Sequence, residues 1–184
     1  VQAVCNYAID ALKALGVKWG LSHNEMIVTD QGPTLVEVNC RQHNMDFVPL
    51  TMTCIGYNAL DMTLEAFLGS NEDWDKFPDL PFLRAHGCMV HLVNTKRGIL
   101  QDVRHLQELH DLPSVMNWQV YEHLATQGEV IEPTIDIRTD AGWVQLANED
   151  PQEMQRDYEQ IVAWMPTMFQ VTEEDTGVEM EVDA

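Results

Sequence analysis

Hydrophobic and polar positions alternate most clearly between Leu21 and Arg41. Two β-prone runs, His23 to Thr29 and Thr34 to Arg41, flank Asp30, Gln31, Gly32 and Pro33. Those four residues carry turn chemistry, so the pattern predicts a β-hairpin. Side chains alternate faces along a strand. In the second run Thr34, Val36, Val38 and Cys40 take one face, and Glu37, Asn39 and Arg41 the other. In the first, Met26 and Val28 share a face, and His23 and Glu25 share the opposite one. The nearly unbroken apolar run Leu35, Val36, Val38 predicts a strand covered on both faces. A three-residue loop at Asp30 to Gly32 sets Glu25 across from Glu37 and His23 across from Asn39. A two-residue loop shifts the parity and separates the carboxylates.

Helical spacing precedes the hairpin: Val4, Ala8, Ala11, Leu12 and Leu15 form one stripe, and Gly16 reads as its C′ stop. That helix is expected to pack behind the hairpin. Phe47 to Ile55 and Asn58 to Leu68 read as two more helices, with Asn58 as N-cap and Gly69 as C′ residue. Met52, Leu60, Met62, Leu64 and Phe67 read as core. The polar, proline-bearing stretch Ser70 to Pro81 reads as a linker.

The second part mixes short strands and helices. Leu83 to Asn94 is β-rich, and Thr95 to Gly98 reads as a hairpin turn whose Lys96 and Arg97 form a local positive pair. Leu106 to Leu112 reads as a helix, Val115 to Glu122 as a strand, and Gln127-Gly128 as a turn. Thr134 to Arg138 reads as a strand, joined by a Thr139 to Gly142 hairpin turn to a returning strand, Trp143 to Ala147. Asp150-Pro151-Gln152-Glu153 has the form of a capping box with Pro at N1. It opens a helix with Ile161, Val162 and Trp164 on its inner side. The expected class is α+β: a first domain over residues 1–70, a linker over 71–82, a small α+β domain over 83–172 and an acidic, disordered tail over 173–184.

Composition narrows the partners. Thirty acidic residues against ten basic ones give a formal net charge of −20 over 184 residues. Nucleic acid and anionic membrane surfaces both demand Lys and Arg, so neither is an expected partner. Cys5, Cys40, Cys54 and Cys88 are scattered in apolar contexts, which points to a reducing compartment rather than a disulfide framework. No apolar run reaches the length of a membrane span.

The hairpin face carries the chemistry. Directly opposed residues have Cβ atoms roughly 5 Å apart, and like charges there are destabilising. Two carboxylates and an amide oxygen at that separation form a ligand set for a hard cation. Mg²⁺ characteristically takes one or two carboxylates, several waters and substrate phosphates. Arg41, two positions beyond Asn39, points at the same site, where a guanidinium stabilises a transferring phosphoryl group. The bland alternative is a solvated sheet face.

Glu37-Val38-Asn39-Cys40-Arg41, preceded by Gly20-Leu-Ser-His-Asn-Glu25, resembles the metal-binding end of an ATP-grasp ligase of the amino-acid ligase and biotin-carboxylase-like branch. The resemblance implies ATP and Mg²⁺ (or Mn²⁺) as cofactors. It implies that Glu25, Glu37 and Asn39 bind the metal that bridges the nucleotide phosphates, that Arg41 assists acyl-phosphate chemistry, and that His23 lies near the substrate end. Gln42 and His43, with Asn44, Met45 and Asp46 behind them, are placed by it against the carboxylate or amine substrate. On their own residues an ordinary loop and helix cap stays equally open. The family usually has Pro or Thr after the Asn; here Cys40 stands there and faces away from the site. A weaker likeness links Trp143-Val-Gln-Leu-Ala-Asn-Glu-Asp150 and the following helix to the small C-terminal domain of those enzymes. On this resemblance residues 1–70 are the C-terminal half of the catalytic domain.

The family's upstream lysines, glycine-rich loop and adenine-contacting strand have no counterpart here, and the chain starts at Val1 without Met. The expectation is therefore the C-terminal portion of a longer, cytoplasmic, ADP-forming carboxylate–amine ligase, inactive alone. Its substrates would be small-molecule carboxylates and amines, and a homodimer is possible for this family. Two alternatives stand beside it: a non-catalytic regulatory or dimerising module derived from such an enzyme, and a biotin-carboxylase-type enzyme that activates bicarbonate. Cys40-x-x-His43 and Cys88-x-x-His91 also have zinc-ligand spacing. On a strand, however, residues three apart face opposite ways.

Overall fold

The computed structural model describes residues 2–43 and 48–172. The acidic tail, the Asn44 to Asp46 segment and the proposed helix start at Phe47 lie outside the described residues. The chain divides into two compact units between Leu83 and Arg84. Both mix helices with antiparallel strands, the α+β class that the patterning implies.

Unit one runs α1 (Gln2–Ala14), β1 (His23–Thr29), β2 (Gly32–Asn39), α2 (Val48–Ile55), α3 (Ala59–Leu68) and α4 (Asn71–Trp74). Gly16, at φ 75°, ends α1. Its N–H donates to the Lys13 carbonyl and that of Val17 to the Leu12 carbonyl, which together make a Schellman stop. α1 packs on the hairpin, where the Leu35 N–H donates to the Tyr7 hydroxyl at 3.4 Å, but Leu15, the last residue of the expected core stripe, is 62% exposed. No residue of α1 is fully buried. Asn58 caps α3 by accepting from the N–H groups of Leu60 and Asp61 at 2.8 and 3.0 Å. Gly69 closes the same helix in an extended conformation, not the left-handed one expected of a C′ glycine. It is small because a Cβ there would meet the Glu65 carbonyl oxygen at 2.7 Å.

The linker stretch opens with a turn of helix. Ser70 and Lys76 both bond the Asp73 carboxylate, and these bonds, Lys76 first, hold its pKa at about 2.

Two expectations about burial fail in unit one. The hairpin is a two-stranded sheet, not a strand covered on both faces, and Val36 is 56% exposed. Met52, Leu60, Leu64 and Phe67 are exposed too, not core. Their helical spacing marks an apolar face, but the described residues of unit one do not bury it. Among the described residues of this unit, the buried side chains are Leu50, Cys54 and Asn58.

Unit two runs β3 (His86–Leu92), β4 (Gly98–Val103), α5 (Leu106–Asp111), β5 (Val115–Val120), β6 (Val130–Ile131), β7 (Gly142–Asn148), α6 (Pro151–Met168) and β8 (Phe169–Thr172). The strands form two sheets, in the orders β3-β7-β5 and β6-β4-β8, with antiparallel pairing throughout. Val90, Leu92, Val144 and Leu146 from the first sheet meet Leu100, Ile131 and Phe169 from the second, with Leu109, Ile161 and Met168 between. Buried Asp157 of α6 accepts from the Ser114 N–H at 2.9 Å and ties the helix to the start of β5.

Several local readings change here. Thr95 to Gly98 joins strands of different sheets, so it is no hairpin turn. Its cations are engaged internally: Lys96 Nζ donates to the Phe169 carbonyl at 3.3 Å, and Arg97 pairs with Glu132 at 3.2 Å. Thr134 to Arg138 is a turn, not a strand. The Asp136 carboxylate accepts from the N–H groups of Arg138 and Thr139, and the Thr139 hydroxyl accepts from those of Ile135 and Asp136. Such side-chain bonds outcompete a ladder. Asp150 caps α6 through the Gln152 N–H at 2.9 Å, but its own N–H donates to Asn148, so the reciprocal half of the capping box is absent. Val162 faces outward at 41% exposure, while Ile161 is fully buried.

Gly142 is the first residue of the central strand rather than the end of a hairpin turn. Its φ is 140°, and a Cβ added there would lie 1.9 Å from the Gln119 carbonyl oxygen. Both the backbone conformation and the space exclude a side chain. Gly142→Ala is therefore expected to cost about 3 kcal/mol, read as a lower urea midpoint. An unchanged midpoint would contradict the close strand approach.

Candidate metal and phosphoryl site on the hairpin

The hairpin turn has two residues, Asp30 and Gln31, because Thr29 pairs with Gly32. Alone, that turn would misalign the acidic residues. The register shifts between Glu25 and Met26, whose partners are Glu37 and Leu35. Val36 is the extra residue, a β-bulge that restores the parity. Glu25 consequently lies opposite Glu37, and His23 opposite Asn39, as the three-residue loop was expected to arrange.

The side chains at this end of the hairpin are linked. Asn39 Nδ2 donates to Glu37 Oε1 at 2.6 Å, and His23 Nε2 lies 3.3 Å from Glu25 Oε1. The His43 ring sits 4.7 Å from that of His23, tilted by 58°. Burial lowers the pKa of His43, and the neighbouring His23 and Arg41 lower it further, against an opposing pull from Glu25. These influences bring His23, Glu25, Arg41 and His43 into one electrostatic neighbourhood. Arg41 is exposed, and its Nη1 donates to the Gln42 carbonyl at 3.0 Å. His23, Glu25, Glu37 and Asn39 thus share the open end of the hairpin. The His23–His43 contact had no local signal in the sequence.

Two opposed carboxylates and an amide form a set of hard oxygen donors, the chemistry that suits Mg²⁺. Among the described residues no group of three or more His, Cys, Asp and Glu side chains is arranged to hold a metal ion. That result removes the zinc reading. The Cys88 thiol contacts the Met154 sulfur at 3.8 Å, while His91 Nδ1 bonds Asp140 at 2.5 Å. All four cysteines are free thiols.

No family model matches the sequence, and no curated protein matches it. Solved structures do share its fold. Against an L-amino acid ligase from Bacillus licheniformis the TM-score is 0.75 at 15% identity, over 94% of this chain and 43% of that one. Phosphoribosylglycinamide synthetase from Anaerococcus prevotii gives 0.63 at 14% identity, over 91% and 40%. N5-carboxyaminoimidazole ribonucleotide synthetase from Thermotoga maritima gives 0.54 at 17% identity, over 91% and 41%. The chain spans about two fifths of the length of these structures. At such identities the likeness is one of fold, and it agrees with the ATP-grasp resemblance carried by the hairpin. Among the described residues no helix is long and apolar enough to cross a membrane.

Proposed function

We propose that this chain is the C-terminal part of a cytoplasmic, ADP-forming carboxylate–amine ligase of the ATP-grasp type. The observation that supports this most is the pairing of Glu25 with Glu37 beside Asn39 and Arg41, within a fold shared with ligases and synthetases. In this reading a substrate carboxylate oxygen attacks the γ-phosphorus of ATP, and ADP leaves. An amine then attacks the acyl carbon of the acyl phosphate and displaces inorganic phosphate, leaving an amide.

Phosphoryl transfer asks mainly for positioning and charge stabilisation. Glu25, Glu37 and Asn39 would hold Mg²⁺, which supplies charge neutralisation at the nucleotide phosphates. Arg41 would stabilise the charge on the transferring group. His23, Gln42 and His43 would line the substrate end, where burial and the neighbouring His23 and Arg41 favour the uncharged form of His43. Unit one leaves Leu60, Leu64 and Phe67 exposed, and the matched structures are more than twice as long. Both features fit a longer catalytic domain, and the chain alone is expected to be inactive.

The experiment is ADP release by the full-length protein with Mg²⁺, measured over a panel of amino acids and other small acids with amines. Release that requires both an acid and an amine supports the ligase. Bicarbonate belongs in the panel, because N5-carboxyaminoimidazole ribonucleotide synthetase stands among the structures of like fold. No release with any pair, from a folded protein that binds no metal, would favour a regulatory module.

A further inference from the structure

Unit one holds a concavity lined by residues that the hairpin chemistry does not use. Its volume is about 430 Å³, within the range of small-ligand pockets. Its apolar lining comes from Ile9 and Leu12 of α1, Val17, and Ala66 of α3. Trp19 and Trp74 flank it, and Trp19 is 69% exposed. An exposed indole offers a large, rigid apolar face to a ligand.

The charges around this pocket are unusual for the molecule. The chain has four lysines against thirty acidic residues. Lys76 is bonded to Asp73 and Lys96 to the Phe169 carbonyl. The remaining two, Lys13 and Lys18, both line this pocket. Lys13 has one loose, exposed partner, Asp10 at 3.9 Å. A pair at that distance and exposure contributes little. Glu65 is the one acidic group on the lining. Two available ammonium groups beside an apolar, indole-bearing lining match a ligand that is anionic at one end and apolar along its body.

We propose that this pocket binds a small amphipathic carboxylate, with its carboxylate between Lys13 and Lys18 and its apolar body against Trp19 and Trp74. Such a ligand covers the indole surface and adds a counter-charge where two ammonium groups face a single lining carboxylate, Glu65. The inference does not depend on the ligase reading.

The test uses the full-length protein labelled with 5-fluorotryptophan, with 3-phenylpropanoate as the probe. Fluorine resonances of Trp19 and Trp74, assigned by Trp→Phe variants, are followed through the titration. Saturable shifts at both are expected, with affinity falling at least about tenfold in Lys13→Glu/Lys18→Glu, equivalent to 1.4 kcal/mol. The uncharged 3-phenylpropanamide should bind correspondingly more weakly. Lys76→Glu, whose lysine is tied to Asp73, should bind as the wild type does. No saturable shift, an undiminished affinity in the double variant, or equal binding of acid and amide would each overturn the proposal.

Discussion

In the complete enzyme, Arg41→Ala is expected to lower kcat by roughly 100-fold or more, the usual consequence of removing a charge-stabilising donor. The structure makes the result interpretable. Arg41 is exposed, and its Nη1 donates to the adjacent Gln42 carbonyl. Its loss should therefore leave the hairpin folded, and the change should be chemical. Arg41→Lys should recover only part of the rate, because an ammonium cannot reproduce the planar fork of a guanidinium. One secondary effect is expected at His43, where Arg41 is among the groups that lower the pKa. In Arg41→Ala that pKa should move upward, and a histidine NMR titration reads it. Turnover equal to wild type would return Arg41 to the solvated surface.

The second large effect is expected from Glu37→Gln. Losing a partner that only orients a metal ligand already weakens metal affinity by about 10–100-fold, so losing the ligand's own charge should raise the Mg²⁺ needed for half-maximal turnover at least about tenfold. Stability should move the other way. Glu25 and Glu37 are directly opposed, and like charges in that position destabilise a hairpin by a few tenths of a kcal/mol up to about 1. The glutamine carbonyl can still accept from Asn39 Nδ2, the bond that Glu37 makes at 2.6 Å. A variant with an unchanged or slightly raised melting temperature and a right-shifted Mg²⁺ titration is the signature of a carboxylate pair kept for chemistry. A fall in stability with an unaltered Mg²⁺ titration would show Glu37 to be structural.

The pairing within the hairpin was legible because alternation is a strong signal. His23 lies opposite Asn39 and Glu25 opposite Glu37, the pairing expected from a three-residue loop. The route differs from the simple one, however. The turn is one residue shorter than expected, and the bulge at Val36 compensates. A bulge is decided by pairing between strands, and Leu35-Val36-Glu37-Val38 reads locally as an ordinary strand. Helix ends were legible at Gly16, Asn58 and Asp150, where one side chain or one positive φ closes the helix.

Long-range assignments were harder. Gly142 looks like turn chemistry, yet its smallness serves the approach of a neighbouring strand. Ile135 and Ile137 suggest a strand, while Asp136 and Thr139 satisfy the local backbone N–H groups first. Leu60, Leu64 and Phe67 have core periodicity, but periodicity records which face is apolar and not what covers it. The Lys18-Trp19 pocket gives no periodic signal, since its walls come from α1, a loop, α3 and α4.

The central claim is ligation through an acyl phosphate, and oxygen transfer tests it most directly. The full-length protein would be supplied with Mg²⁺, ATP, an amine and the accepted acid labelled with ¹⁸O in its carboxylate. The released phosphate would then be examined by ³¹P NMR. One labelled oxygen in that phosphate is the expected result, because the carboxylate oxygen that attacks ATP leaves with phosphorus when the amine displaces it. Amide formation with unlabelled phosphate would contradict the account.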